Sequence, residues 1–175
     1  MLYIPLRVLV NTLPKANVFM RKLALLFLFI VPLVVGVLVY QSQQFDFETL
    51  EGETHAWSDM KGEWVVINYF APWCAPCLRE MPELNALANA LPSNTRLFAI
   101  NYDRLSREDL ANIVTKYDIK LDVIFAQQDT ILPINKPAYL PATFIIGPDG
   151  EVKETIMGEV TEKGLKTRLR SLKET

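Results

Sequence analysis

Cysteine and histidine are scarce in this chain of 175 residues: two of the first, Cys74 and Cys77, and one of the second, His55. Two cysteines cannot build the disulfide framework of a small secreted domain. With one histidine they also cannot supply an ordinary four-ligand zinc site. Glycine is sparse at 7 residues, proline stands at 11, and half of the chain is hydrophobic against 22% charged. That composition excludes a collagenous, low-complexity or disordered chain. Acidic residues are missing altogether from positions 1–40, which hold four basic ones, Arg7, Lys15, Arg21 and Lys22. Residues 41–175 carry the other 14 basic residues and all 20 acidic ones, a net charge of −6. An acidic domain of this kind argues against a nucleic-acid partner, whose phosphates are neutralised by Lys and Arg.

Charge is absent from one long run. Residues 23–40, LALLFLFIVPLVVGVLVY, are 18 in number, near the lower limit for crossing a hydrocarbon core of ~30 Å as a helix. Pro32 and Gly36 inside the run are tolerated in membrane helices. Arg21 and Lys22 abut its start and the uncharged QSQQ follows its end, so the positive-inside rule keeps residues 1–22 cytoplasmic and exports the domain beyond. A cleaved signal peptide would have a shorter apolar core and a small-residue cleavage site. The end of this run, VLVYQSQQ, has no such site and no cysteine for a lipid. An uncleaved anchor over 23–40 in the inner membrane is therefore expected, with residues 41–175 in the periplasm. Met20, followed by RKLALLFLF, reads as a natural start, so translation is expected to begin there rather than at Met1.

Past the linker, 45–49 and 54–57 alternate in a way that suits a short β-hairpin. Residues 63–70, EWVVINYF, read as a strand buried on both faces. Apolar positions 78, 81, 84, 87, 88 and 91 are spaced as on a helix, with Pro82 inside it expected to kink it. A second buried strand over 96–102 follows. Ser106 then opens a helix reaching about 117, and 122–126 reads as a short strand. The strands 142–147 and 151–157 flank Pro148-Asp149-Gly150, a hairpin turn signal, and 161–172 closes the chain as a helix. Strands alternating with helices and ending in a hairpin imply a three-layer α/β sandwich with a mixed sheet and an N-terminal hairpin extension, preceded by one transmembrane helix.

The chemistry is concentrated in Trp73-Cys74-Ala75-Pro76-Cys77, between a buried strand and a helix. Unpaired N–H groups and the helix dipole favour an anion at Cys74, so its thiolate should be stabilised below the ~8.5 of a free thiol. Cys77 lies one turn further on the same side, and the fixed φ of Pro76 suits a first turn. Such a dithiol can attack a partner disulfide through Cys74 and resolve the mixed disulfide through Cys77. A structural bridge would close too short a loop to add much stability, and a metal would need two more ligands.

These residues, with Leu140-Pro141-Ala142-Thr143 at the start of the strand ATFIIG, resemble the thioredoxin superfamily, and more closely its membrane-anchored TlpA/ResA-like (AhpC/TSA–redoxin) thiol-disulfide oxidoreductases. The resemblance covers about residues 41–173 and rests on VVINYFAPWCAPCLREMPELNAL and LPATFIIGPDGEV. It implies a thioredoxin-like fold, catalysis by Cys74 and Cys77 with no cofactor or metal, and a cis bond before Pro141, which lies against the cysteines. It also implies that Trp73, Pro76, Leu140 and Pro141 meet the substrate, with Trp73 packed beside the cysteines. Where thioredoxin has a buried Asp, this chain has Asn68. Glu80, three residues past Cys77, matches a Glu that in some relatives tunes the thiols. It is the candidate proton acceptor for Cys77, the alternative being a solvated helix acid near Arg79 and Glu83. Implied partners are exported proteins with disulfides, apocytochromes among them, and a transmembrane thiol reductant of the DsbD/CcdA type. Ala142 departs from the acidic residue common in cytochrome c maturation reductases. Two other readings share the fold. A metallochaperone would need a wider cysteine spacing and a late His. A peroxidase-like redoxin would need a Thr where Ala71 stands. Asp103 and Arg104 read as a solvated pair.

Overall fold

The computed structural model describes residues 18–42 and 45–174. The chain divides into two compact units, Met1–Gln44 and Phe45–Thr175. In the first, helix α1 spans Val18–Ser42 and continues through Pro32. The anchor expected over 23–40 falls within this helix. Counted over the described residues, no helix is long and apolar enough to cross a membrane. Most of the expected cytoplasmic segment 1–22 lies outside the described residues.

The second unit is built on a five-stranded sheet. Its strands are β3 (Trp64–Phe70), β4 (Thr95–Asn101), β5 (Asp122–Ile124), β6 (Ala142–Ile146) and β7 (Val152–Met157), in the order β5-β4-β3-β6-β7. β3 runs parallel to β4, and β4 to β5, while β6 pairs antiparallel with both β3 and β7. β3 is central and buried at all seven positions, as its run of apolar residues requires. Three helices connect and close this sheet: α2 (Ala75–Ala88), α3 (Arg107–Lys116) and α4 (Glu162–Lys173). α2 begins three residues earlier than the apolar spacing suggests and ends before Leu91. It continues through Pro82 without interruption.

The pleat sorts side chains onto two faces. Val66 and Phe70 of β3 pack with Leu84 and Leu87 of α2, Leu110 of α3, and Leu165 and Leu169 of α4. Val65, Ile67 and Tyr69 face the other way, with Phe47, Met60, Phe98 and Phe144. All three helices therefore pack on one face: α2 and α3 because both are crossovers of one hand between parallel strands taken in one direction along the sheet, and α4 because Leu165 and Leu169 join the same apolar cluster. The third layer is irregular chain together with a separate two-stranded hairpin, β1 (Phe47–Glu48) and β2 (Thr54–His55).

This hairpin extension is tied to the β5 edge, which would otherwise expose unpaired backbone groups. Leu50 N–H donates to Val123 O and Phe125 N–H to Glu48 O, each at 2.8 Å. Arg107 reaches back from α3 to Glu48, its guanidinium stacked 4.3 Å over the Phe125 ring. Further along, Trp57 Nε1 donates to Ile131 O at 2.9 Å and Ile131 N–H donates to Asp46 O at 2.7 Å. The long connection between β5 and β6 is thereby held against the hairpin. His55 is in β2, its ring stacked 5.1 Å from that of Phe47.

Candidate active site

β3 ends at Phe70 and α2 begins at Ala75, so the Trp73–Cys77 motif occupies the strand-to-helix turn at the carboxyl end of the central strand. Cys74 is the N-cap, with extended backbone, and Pro76 falls in the first turn. The Cys74 sulfur accepts from Cys77 N–H at 3.3 Å. Cys74 and Cys77 are joined as a disulfide, with Cα atoms 5.3 Å apart. The bridge is nearly sealed: Cys74 is 5% exposed and Cys77 0%. Of the two residues, Cys74 alone keeps some exposure.

On reduction, the same N–H groups and helix dipole act on the Cys74 sulfur, favouring its anion. Alkylation of the reduced protein with iodoacetamide should therefore follow a titration with its midpoint well below pH 8. A midpoint at or above ~8.5, the value of a free thiol, would remove the helix-terminus argument.

Behind the cysteines lies a buried polar row. Glu80, one turn beyond Cys77 on the same helix, is 2% exposed. Its Oε1 accepts from Asn68 Nδ2 at 2.8 Å and its Oε2 from Val160 N–H at 2.8 Å. Asn68 Nδ2 also donates to Thr143 Oγ1 at 3.0 Å. Burial pushes the Glu80 carboxyl up to about 7, against the two hydrogen bonds that favour its charge; the nearby Glu159 adds to the rise. The solvated alternative for Glu80 is thus corrected. Its neighbour Arg79 pairs outward with Glu159 at 2.5 Å, while Glu80 itself turns into the core. The sequence marked Asn68 only as a departure from thioredoxin and did not reveal Thr143 or the Val160 N–H as partners. The latter is 80 residues away, and no local pattern signals it.

The peptide bond between Leu140 and Pro141 is cis. Leu140 packs against the apolar cluster that holds both cysteines, and Gly158 N–H donates to Pro141 O at 2.9 Å. Trp73 is 63% exposed, its ring edge-on to Tyr102 at 5.9 Å. Its Nε1 donates to Asp103 Oδ2 at 2.7 Å, so Asp103 is not half of a solvated pair with Arg104. Tyr69, Phe70 and Phe144 are core. Among the described residues no group of three or more His, Cys, Asp and Glu side chains is placed to hold a metal.

A buried Cys-x-x-Cys disulfide at the start of a helix that follows the central strand, in a domain with a cis X-Pro bond ahead of β6, defines a thioredoxin-fold thiol-disulfide oxidoreductase. Comparison with known proteins places it further. Residues 40–155 match the AhpC/TSA family, and the chain belongs to that family. It is 33% identical over 132 residues to the thiol-disulfide oxidoreductase ResA of Geobacillus kaustophilus, covering 74% of each chain. It is 30% identical over 172 residues to ResA of Bacillus cereus, covering 87% of this chain and 99% of that one. The fold is similar to that of the pneumococcal exposed lipoprotein thioredoxin Etrx1 of Streptococcus pneumoniae, with a TM-score of 0.64 at 22% identity over 73% of this chain and 98% of the other.

Proposed function

We propose that the protein is a membrane-tethered, periplasm-facing reductase of disulfides in exported proteins. The observation that carries this reading is the Cys74–Cys77 bridge at a helix N-terminus, where of the two residues Cys74 alone keeps some exposure. In the reduced protein, the Cys74 thiolate attacks one sulfur of a partner disulfide. A bond forms between Cys74 and that sulfur, and the other partner sulfur leaves as a thiolate. Cys77 then loses its proton and attacks the Cys74 sulfur, releasing the second partner thiolate and closing the Cys74–Cys77 disulfide. Two electrons have passed from this protein to the partner. Glu80, buried one turn away and poised near neutrality, is the group that takes the Cys77 proton.

In an oxidising compartment the cycle needs a donor that returns two electrons to the bridge. A transmembrane dithiol carrier of the DsbD/CcdA type fits that need. The uncharged run over 23–40, with basic residues on its N-terminal side only, supports tethering and its orientation. Apocytochromes are one class of exported protein whose disulfides such a reductase would open. Trp73, Pro76, Leu140 and Pro141 would form the surface met by an extended partner chain.

Two measurements test this together. After fractionation, the protein should sediment with inner membranes and resist extraction by high salt and alkaline carbonate. A protease added outside the cytoplasm should reach Phe45–Thr175. The reduced protein should speed insulin-disulfide reduction by dithiothreitol. Recovery in the soluble fraction would remove the anchor, and the absence of any acceleration would remove the reductase reading.

A further inference from the structure

The carboxyl ends of β3 and β4 and the long connection before β6 enclose a cleft of about 410 Å³ on the sheet face opposite α2. Its polar lining is one-sided. Tyr69, Tyr102, Gln127, Thr130, Arg104 and Lys136 line it, and no Asp or Glu does, although the domain as a whole is acidic. Lys136 Nζ sits 3.6 Å above the centre of the Tyr102 ring, and neither it nor Arg104 forms an ion pair among the described residues. Burial and the neighbouring Tyr102 push the Tyr69 phenol above its usual value, so it keeps its proton to donate. Two cations without an ion pair and no facing carboxylate suit an anion, and the guanidinium, ammonium and phenol donors suit a carboxylate.

The cleft adjoins the dithiol. The Tyr102 ring meets that of Trp73, whose next residue is Cys74. We propose that this cleft is a specificity subsite that receives the side-chain carboxylate of an Asp or Glu flanking the disulfide in the substrate polypeptide. The inference rests on the reductase reading above and adds a selection rule to it. An acidic residue two to four positions from the attacked cysteine would reach ~7–13 Å along an extended chain.

The test uses the full chain in detergent and disulfide-closed peptides with amidated C-termini, identical except for Glu, Gln or Lys at that offset. Neutral hydroxyethyl disulfide reports on the dithiol alone. The wild type should prefer the Glu peptide over the Gln peptide by roughly tenfold in kcat/KM, the scale of a charge-assisted contact at a partly exposed site. That preference should shrink as salt is raised. In the Arg104→Gln/Lys136→Gln protein the ratio should fall to about one, and the Arg104→Lys/Lys136→Arg protein should restore it. A wild-type ratio near one, or a ratio unmoved in the double Gln variant, overturns the subsite. Failure to turn over even hydroxyethyl disulfide, with or without the substitutions, would instead overturn the reductase reading.

Discussion

Cys77→Ser protein should accumulate in cells as a mixed disulfide between Cys74 and its partners, while Cys74→Ser protein forms no adduct. The asymmetry follows from access. Cys74 caps the helix and keeps some exposure, whereas Cys77 is fully buried behind it. Without Cys77 the first exchange still occurs, but the bond between Cys74 and the partner has no intramolecular thiol to displace it. Both variants should lose insulin reduction by roughly 10³-fold or more, because residues that act as one unit fail together when either is removed. Non-reducing electrophoresis followed by mass spectrometry of the adduct reads the first effect. Equal trapping by the two variants would contradict the assignment of attack to Cys74.

Glu80→Gln should change both stability and rate, each with its own pH signature. The Glu80 carboxyl is raised from 4.5 to about 7, chiefly by burial. Its folded form therefore holds a proton that the unfolded chain releases above ~4.5. Between these values the unfolded state binds fewer protons, so the contribution of Glu80 to stability is complete below about 4.5 and is lost as pH rises through about 7. At 1.36 kcal/mol per pKa unit, the full loss is roughly 3 kcal/mol. The amide that replaces the carboxyl in Glu80→Gln does not ionise. The variant should match the wild type in urea unfolding near pH 4 and exceed it by up to about 3 kcal/mol near pH 8. A gap that stays constant across that range would show that Glu80 does not titrate on folding.

The rate should move the other way. If ionised Glu80 accepts the Cys77 proton, wild-type turnover rises through pH 7, and Glu80→Gln lacks that rise. Its kcat at pH 8 should fall roughly 10²-fold, the usual size of a general-base contribution. Formation of the first mixed disulfide, which uses Cys74 alone, should be little changed. Rapid-quench measurement of the two steps separates them, and a variant slowed equally in both would place Glu80 in a structural role.

Local spacing in the sequence determined the reactive motif, because a cap, a first turn and a pair of residues three apart are relations within one helical turn. The buried β3, the terminal hairpin of β6 and β7, and the helix around Leu165 and Leu169 were legible for the same reason: period and turn chemistry are local. Tertiary structure alone decided the rest. It set all three helices on one face, fastened the N-terminal hairpin to β5, and turned Trp73 outward onto Asp103. It also carried Glu80 inward to Asn68 and the Val160 N–H, and gathered Tyr69, Tyr102, Arg104 and Lys136 around one cleft. Desolvation and convergence of charge depend on which distant segments exclude water from a site, and a pattern that repeats every two or four residues carries no record of that.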